Sequence, residues 1–394
     1  MIYLDILLTI ISVILFIPTL VIFIQVLSAW LLKEKSNDIQ NRDVNIAVLI
    51  PAHNESSGII ETLNSIKPQL KPTDYILVVA DNCSDDTAEI ALSNGAEVVE
   101  RQDKKRIGKG FALDFGIRHL SKRLPEVVVI IDADCTLQTD SLNSLANYSL
   151  QSGRPVQAQY LMYSKTANLK SKISEFAWCV KNLVRPLGCN KLGLPCQLMG
   201  TGMAFPWSMI SSVDLANGNI VEDMKLGIDL SIAGTSPIFY SNSKVKSYFP
   251  VTSEVQAGQK TRWEHGHLAM IVSEAPRLFF HGLINRDKNL LAMALDLSVP
   301  PLALLAVLLF SSATLTGVTF VMFDFAQLAF QVTFIALTLL TIAIIIAWCV
   351  WGKNIISLSS ILLIPVYVLS KIPHYVKFLF KRQKIWNKTE RDQV

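Results

Sequence analysis

The sequence predicts an α/β protein with a mostly parallel sheet, anchored in a membrane by one apolar segment before the sheet domain and two to three after it. Within residues 33–290, runs rich in β-branched residues alternate with stretches of helical periodicity, which is typical of right-handed β-α-β units. Uncharged apolar segments lie on both sides of this region. We therefore expect a transmembrane helix at 1–35, a globular domain with interfacial helices at 36–290, and a transmembrane region with a basic tail at 291–394.

The apolar segments are long enough to span a bilayer. Residues 6–32, 302–323 and 325–351 carry no charge, and each exceeds the roughly 20 residues that cross a hydrocarbon core about 30 Å thick. A fourth apolar run at 354–370 is shorter and is interrupted by Pro365. The sequence thus predicts an integral membrane protein, with the lipid bilayer as one of its partners.

Basic residues near these segments predict which side of the membrane each part occupies. Lys33 and Lys35 follow the first segment and no basic residue precedes it, so the positive-inside rule places the globular domain in the cytosol. Three later crossings would put the basic tail outside, against that rule. Two crossings plus an interfacial or re-entrant segment at 354–380 keep the tail inside, and we favour this arrangement because Pro365 and Pro373 break the last apolar run. The basic residues of the tail are Lys381, Arg382, Lys384, Lys388 and Arg391.

The overall composition argues against nucleic-acid binding and against disulfides. The 394 residues are 51% hydrophobic and 17% charged, with a net charge of +4, as in membrane proteins with basic cytoplasmic rims. No cluster of basic and aromatic residues suggests a nucleic-acid partner. None of the six cysteines belongs to a CxxC pair, and cytosolic domains keep their thiols reduced. We expect the cysteines to be small buried residues.

The first half of the globular domain contains four predicted strands with polar residues at their ends. The strands are expected at 45–50, 75–80, 97–100 and 127–131. Helices are expected at 57–70, from about residue 86, and after the Gly-rich turn in RIGKGFALDFGIRHL. Ligands of parallel sheets bind at the carboxyl ends of the strands. Asp81, Asp132 and Asp134 all fall at that edge.

The segment VVVIIDADCT places two carboxylates directly after a buried strand. Asp132 and Asp134 are two positions apart, so in extended chain both side chains point to the same side. Buried carboxylates that face each other are costly unless a cation compensates them. Oxygen ligands on one face suit Mg²⁺ or Mn²⁺, shared with substrate phosphates. The alternative interpretation is a helix N-cap or a salt-bridged turn.

Two later motifs carry further polar side chains. VEDMKLGIDL places Glu222 and Asp223 before an amphipathic helix, where they serve either in catalysis or as acids that complement the helix dipole. QKTRW, from Gln259 to Trp263, combines an amide, a guanidinium that matches phosphate geometry and a flat indole face. The alternative for QKTRW is an interfacial amphipathic helix, because membrane segments begin some forty residues later.

Taken in order, these motifs resemble those of the family 2 glycosyltransferases, especially the membrane-embedded cellulose, chitin, hyaluronan and poly-N-acetylglucosamine synthase group. The matching elements are VLIPAHNE, VVADNCSDDTA, GKGFALDFGI, IDADCT, GTGMAFP, VEDMKLGIDLSIAG, QKTRW and WNKTER. They cover about residues 46–267 plus the C-terminal tail. The resemblance implies a GT-A-type fold and a bacterial inner or plasma membrane location.

The resemblance also implies a role for each matching position. The nucleotide sugar would contact Pro51, Ala52, Asn54, Glu55, Asp81, Lys109 and Asp132. Mg²⁺ or Mn²⁺ would be held by Asp132 and Asp134. The catalytic acids would be Asp223, as general base, and Glu222 beside it. The acceptor and diphosphate would contact Thr201, Gly202, Gln259, Arg262 and Trp263. Valine at position 221 stands where the family usually has threonine, a near-isosteric change.

The activity implied by the resemblance is inverting transfer of a sugar from a nucleotide sugar, most simply a UDP-sugar, to a growing glycan or a lipid-linked acceptor. The product would be a cell-surface or extracellular polysaccharide. Two alternatives stay open: transfer of a single sugar to a lipid, and a catalytically silent subunit that channels glycan made elsewhere. Cellulose synthases have more membrane segments than this chain, so export of a polymer would need a second protomer or an export partner.

Overall fold

The computed structural model describes residues 2–34, 42–166, 168–216, 218–250 and 252–369. The predicted basic tail, Pro373, WNKTER and most of the polar segment after the first apolar run lie outside these residues. The described chain forms two compact units. A helical unit is formed by the residues up to Lys33, by Thr166–Leu192 and by the described residues 267–369. Glu34–Lys165 and Gly193–Gly266 form a sheet unit.

The sheet unit is built on a mixed sheet of eight strands. The strands are β1 Ile46–Ala52, β2 Tyr75–Asp81, β3 Glu97–Arg101, β4 Val127–Ile130, β5 Thr136–Leu137, β6 Val156–Tyr163, β7 Met203–Pro206 and β8 Ile238–Tyr248. Their order is β3-β2-β1-β4-β7-β6-β8-β5. β3, β2, β1 and β4 are parallel, and β6 also runs parallel to β8. The remaining pairs, β4–β7, β6–β7 and β5–β8, are antiparallel.

The helices of the described residues are α1 Ile2–Leu31, α2 Ile59–Ile66, α3 Thr87–Ser93, α4 Lys109–Leu120, α5 Ser141–Ser152, α6 Leu169–Cys179, α7 Arg185–Lys191, α8 Trp207–Ile210, α9 Glu222–Ile232, α10 Ser253–Asn285, α11 Lys288–Leu297, α12 Leu302–Phe323, α13 Gln327–Ala347, α14 Leu358–Ile361 and α15 Ile364–Leu369. Among them, those predicted at 57–70, from about residue 86 and after the Gly-rich turn are found close to these positions, as α2, α3 and α4. A 3₁₀ turn, Lys67–Gln69, extends α2. Single π-helical turns follow α6 and α13, at Val180–Val184 and Trp348–Gly352.

The centre of the sheet is apolar on both faces. Every residue of 46–50 and of 127–131 is fully buried, which explains why these strands read as continuous apolar runs rather than as alternating ones. Leu113 and Ile117 of α4 and Leu226 of α9 pack into the core cluster formed with these strands. This packing fixes the first turns of α4 and α9 relative to the ends of β1 and β4.

Within the described part of the chain, three helices of the helical unit are long and apolar enough to cross a membrane: Ile2–Leu31, Leu302–Phe323 and Gln327–Gly352. They agree with the predicted segments before and after the globular domain. Buried hydroxyls link two of them, because Thr333 of α13 donates to Ser12 Oγ of α1 at 2.8 Å. Both side chains are fully buried, as is typical of membrane helices that meet through small polar residues.

A second buried polar cluster of the helical unit joins α1, α7 and α11. The Arg185 guanidinium donates to Asp296 Oδ1 at 2.7 Å and to Gln25 Oε1 at 2.9 Å. Gln25 Nε2 in turn donates to Asp296 Oδ1 at 2.7 Å. All three side chains are more than nine-tenths buried. The charges of Arg185 and Asp296 therefore neutralise each other, and the Gln25 amide forms hydrogen bonds with both.

Candidate active site

The carboxyl ends of the parallel strands bring together the polar residues that the sequence singles out. Pro51 and Ala52 are the last residues of β1, Asp81 is the last residue of β2, and Asp132 follows β4 by two residues. In the β1–β2 register Pro51 pairs with Val79 and Ala52 with Ala80, so the ends of these strands are level. The polar residues meet here because parallel strands all end at one edge.

Lys109 is the central cation of the site. It is the first residue of α4, and its ammonium forms an ion pair with Asp132 Oδ1. The same Nζ donates to the Gly200 carbonyl at 2.8 Å and lies 3.8 Å from Glu222 Oε1. Lys109 therefore connects three segments that are distant in sequence.

Gly200 shows how closely the acids approach one another. Its φ of +87° favours glycine, and a β-carbon added there would lie 3.3 Å from Asp223 Oδ2, 3.5 Å from Lys109 Nζ and 4.0 Å from Asp132 Oδ2. The next residue, Thr201, accepts a hydrogen bond from the Asp132 amide at 3.0 Å. The GTG segment thus packs between the Asp132–Asp134 turn and the start of α9, and a side chain at position 200 would crowd the Asp223 carboxylate.

The electrostatics of the cluster favour an additional cation. Burial raises the pKa of Glu222 to about 7, with a further contribution from Asp223, although Lys109 opposes the shift. Burial also raises the pKa of Asp132, and the charges of Asp134 and Asp223 add to that shift. Burial alone would lower the pKa of Lys109, but Asp132, Glu222 and Asp223 raise it instead. A single lysine thus lies in the field of several carboxylates.

Asp132 and Asp134 form the part of this cluster that fits a divalent cation. One ligand atom from each, together with Cys135 Sγ, lies within 4.8 Å of the others. Cys135 is fully buried, and burial raises its pKa well above the ordinary range, so the sulfur stays a neutral thiol. The usable ligands are therefore carboxylate oxygens, which suit Mg²⁺ or Mn²⁺ rather than a thiophilic metal.

The turn after β1 packs on the turn after β2. His53 Nδ1 lies 2.6 Å from the Asp81 carbonyl, and the Glu55 amide donates to Thr87 Oγ1 at 2.8 Å. Asn54 adopts a left-handed φ of +54° and its Oδ1 accepts from the Ser84 amide at 2.7 Å. These bonds hold the predicted Pro51–Glu55 turn beside Asp81.

The QKTRW segment lies in the first part of α10. Gln259, Arg262 and Trp263 are followed by Gly266 on this helix, and a β-carbon at Gly266 would lie 2.7 Å from Val221 Cγ1. Val221 directly precedes Glu222. The close approach of Gly266 therefore packs this helix against the residue that directly precedes α9, and it explains the absence of a side chain at 266.

Two residues that support the site have no counterpart among the sequence predictions. Gln157 is fully buried; its Nε2 donates to the Thr201 carbonyl at 2.9 Å and its Oε1 accepts from the Met199 amide at 2.8 Å. Arg101 forms a 2.5 Å ion pair with Asp81 Oδ1. The sequence does hold a signal for Arg101, because it ends β3 as Asp81 ends β2, and in-register parallel strands place such residues side by side.

Comparison with protein families agrees with this architecture. Residues 47–203 match the glycosyl transferase family 2 model. Residues 127–351 match the model of glycosyl transferase family group 2, which covers more than half of the chain. The chain is therefore placed among the glycosyltransferase families. More particularly, the chain belongs to glycosyl transferase family group 2, and the predicted membership of the family 2 enzymes is confirmed.

Individual relatives are more distant. Two 4,4'-diaponeurosporenoate glycosyltransferases of Staphylococcus aureus, from strains bovine RF122 / ET3-1 and USA300, are 30% identical over 164 residues and 31% identical over 150 residues. These matches cover 40% and 37% of this chain, and the chain spans about two fifths of each relative (41% and 38%).

The solved structures show the same fold. The mannosyltransferase PcManGT from Pyrobaculum calidifontis, in complex with GDP-Man and Mn²⁺, aligns with 88% of this chain and 99% of its own, at a TM-score of 0.55 and 16% identity. With the mixed sheet and the flanking apolar helices, this similarity confirms the predicted α/β fold of the GT-A type.

Proposed function

We propose that this chain is an inverting, metal-dependent glycosyltransferase that moves a sugar from a nucleotide sugar to an acceptor at the membrane. The observation that carries the proposal is the single lysine, Lys109, in the field of Asp132, Glu222 and Asp223 at the carboxyl edge of the sheet. Such a cluster needs added positive charge and offers a carboxylate base, the two requirements of this transfer.

Asp223 is the general base. The acceptor hydroxyl attacks the anomeric carbon, its proton passes to the Asp223 carboxylate, and the bond from that carbon to the diphosphate oxygen breaks. Asp223 Oδ1 accepts from the Met224 amide at 2.8 Å, whereas Oδ2 lies on the Gly200 side. Glu222 is the alternative base because its pKa is about 7, but it lies only 3.8 Å from the lysine ammonium. The role we assign to Glu222 is to hold the Lys109 ammonium in place.

Asp132 and Asp134 hold the divalent cation. When bound, Mg²⁺ or Mn²⁺ would stabilise the negative charge that develops on the leaving diphosphate. Lys109 adds a second positive charge at the same edge of the sheet. Arg262 and Trp263 would bind the diphosphate and acceptor, together with Gln259. Thr201 and Gly202, predicted to act with them, are buried and hydrogen-bonded within the fold, so their role is to position the Asp132 turn.

The donor lies over the ends of β1 and β2. Asp81 contacts the nucleoside, and the Pro51–Glu55 turn, with Ala52 and Asn54, flanks it. The hydrogen bonds that hold this turn against Asp81 support the assignment, because they keep the edge rigid before the donor arrives. A UDP-sugar is the proposed donor.

The chain is proposed to be an integral protein of a bacterial inner or plasma membrane with its sheet unit in the cytosol. Three helices of suitable length and hydropathy support the first part, and the basic residues after α1 support the second. The boundaries 1–35, 36–290 and 291–394 belong to the same proposal. Homo-oligomers or export partners are required only if the product is a polymer.

Two acceptor classes follow, a growing glycan and a single membrane lipid. The packing of α1 against α13 favours the lipid. Buried side chains such as Ser12, Ala329, Thr333 and Ala336 fill the seam between these two helices, so a growing glycan cannot pass along it. The Staphylococcus aureus relatives, named for one discrete acceptor, favour it as well. Radiolabelled donor separates the classes: one discrete glycolipid supports single transfer, and a ladder of products supports polymerisation.

The proposed function is tested by a donor screen with the full chain in membranes. Release of nucleoside diphosphate is measured with UDP-, GDP- and other nucleotide sugars, with Mg²⁺, with Mn²⁺ and with chelator. We expect metal-dependent release from at least one donor. Absence of release from every donor would instead support a catalytically silent glycan-channelling subunit. Asp229→Asn, on the same helix as Asp223, is a control that should keep wild-type release.

A further inference from the structure

Arg101 ties the Asp81 carboxylate to the loop that follows β3. Its Nη1 donates to Asp81 Oδ1 at 2.5 Å, and its Nη2 donates to the Arg106 carbonyl at 2.6 Å and lies 3.3 Å from Asp103 Oδ2. The exposed fractions of Arg101 and Asp81 are only 7% and 6%. One guanidinium thus fixes both the carboxylate and the loop.

Asn82 adds a second donor to the same carboxylate oxygen. Its Nδ2 lies 3.0 Å from Asp81 Oδ1, and its Oδ1 accepts from the Asp103 amide at 2.8 Å. Asp81 Oδ1 therefore receives two hydrogen bonds. Asp81 Oδ2 accepts none from the side chains and amides of the described residues. A ligand that pairs with this carboxylate consequently meets one oxygen rather than two.

The number of available oxygens matters because nucleobases differ in their donors. The Watson–Crick edge of uracil has one ring N–H between two carbonyl oxygens, which a single carboxylate oxygen satisfies. Guanine has two adjacent donors, the ring N–H and the exocyclic amine, which pair best with both oxygens of one carboxylate. Cytosine and adenine have a ring nitrogen with a lone pair at this position, and a carboxylate repels it.

We infer that Arg101 is a positioning residue that restricts Asp81 to one acceptor oxygen and thereby selects a uridine nucleotide over a guanosine nucleotide. The inference rests on the proposed function, in which Asp81 contacts the nucleoside. Burial raises the pKa of Asp81, and the hydrogen bond and charge of Arg101 oppose this shift. Without Arg101, Asp81 Oδ1 keeps only the hydrogen bond from Asn82, so it can accept a second donor from a ligand beside Oδ2.

Equilibrium binding of nucleoside diphosphates to the full chain in detergent tests the inference. UDP, GDP, CDP and ADP are titrated with Mn²⁺ into the wild type and the Arg101→Met, Arg101→Lys and Arg118→Met variants. Arg118 is an exposed arginine of α4 paired with Asp114, so Arg118→Met is the matched control. Asp103→Asn is a second control, because it weakens the loop and leaves the Asp81–Arg101 pair intact.

We expect the wild type to bind UDP at least about tenfold more tightly than GDP, which is the size of one hydrogen-bond mismatch. In Arg101→Met the ratio should fall to about threefold or less, because UDP affinity drops more than GDP affinity. Arg101→Lys should give an intermediate ratio. Arg118→Met and Asp103→Asn should keep the wild-type ratio.

Two results would overturn the inference and leave the proposed function standing. One is a wild type that binds GDP as tightly as UDP. The other is an Arg101→Met variant whose affinity falls by the same factor for every nucleotide, which is the result expected if Arg101 only stabilises the fold. A wild type that binds no nucleotide would overturn both. If Arg101→Met does not fold, the ratio measured for Arg101→Lys decides, since it keeps the charge and loses the planar fork.

Discussion

The helical unit buries a cluster of charged and polar side chains, the sheet unit half-buries another, and the two clusters differ in charge balance. In the helical unit, Arg185 and Asp296 neutralise each other and Gln25 satisfies both. In the sheet unit, Lys109 lies in the field of Asp132, Glu222 and Asp223, with Asp134 acting on Asp132. The first cluster is complete within the fold. The second carries an excess of negative charge.

This difference separates structural from functional buried charge. A balanced cluster stabilises the fold only through its own partners, so removing one partner is costly. An unbalanced cluster costs stability in the free protein and is retained for what it binds. Mutations should therefore have opposite signatures in the two units: lost stability in the helical unit, and lost activity with little or no loss of stability in the sheet unit.

The largest effect is expected for Asp223→Asn. Loss of the proposed general base should reduce turnover by about 10²–10⁴-fold, while the midpoint of thermal unfolding stays at or above that of the wild type, because one of several like charges is removed. Nucleoside diphosphate release and a melting curve measure the two quantities. Full turnover in the variant would refute the assignment of the base.

Asp296→Leu should have the opposite signature. It leaves Arg185 buried without its anion, so the free energy of unfolding in detergent should fall by about 3–5 kcal/mol. The double variant Arg185→Met/Asp296→Leu should recover most of that loss, because no charge remains buried. Glu274→Gln, in the more exposed pair with Arg277, is the matched control and should cost less than about 1 kcal/mol. If Asp296→Leu is as stable as this control, the structural role of the Arg185–Asp296 pair is contradicted.

Glu222→Gln should raise stability above neutral pH. The pKa of Glu222 rises from an ordinary value near 4.5 to about 7 in the folded protein, so the folded state binds more protons than the unfolded state between these values. Stability therefore falls as pH rises from about 4.5 to 7, and the glutamine variant lacks this loss. At pH 8 we expect a gain of about 1–3 kcal/mol relative to the wild type.

Chemical denaturation from pH 4.5 to 8 checks this prediction, with the exposed Glu61→Gln as the control. A stability difference between Glu222→Gln and the wild type that does not change with pH would show that Glu222 is ionised in both states. The charge excess at the site would then be smaller than the structure implies.

Ser12→Ala should have the smallest effect. It removes the hydroxyl that accepts from Thr333 at 2.8 Å, and hydrogen bonds between membrane helices contribute about 0.6 kcal/mol on average. Unfolding in detergent or mixed micelles measures this loss. A loss above about 2 kcal/mol would mean that the hydroxyls of the seam act as a network rather than as a single bond.

The sequence is most informative where local chemistry decides the structure. The strands that end at Ala52 and Asp81 and the apolar spans follow from periodicity and from charge-free length, and the structure agrees with them. The edge carrying Asp81, Asp132 and Asp134 follows from the rule that ligands bind at the carboxyl ends of parallel strands.

What the sequence leaves out depends on contacts between distant segments. Gln157 supports Thr201 from a strand about forty residues earlier, and Arg185 finds Asp296 across 111 positions. The antiparallel pairs of β7 with β4 and β6 are equally non-local. Hydrophobic pattern and turn chemistry specify each of these segments, but not which segment it will meet.

The charge excess at Lys109, Asp132 and Asp134 is tested most directly by measuring Mn²⁺ binding to the full chain by electron paramagnetic resonance, with and without UDP. We expect one bound ion in the wild type, bound more tightly in the presence of UDP. Asp134→Asn should lose this ion, while Asp229→Asn should bind as the wild type does. Equal binding by the wild type and Asp134→Asn, or no bound ion in either, would contradict the proposed excess of negative charge.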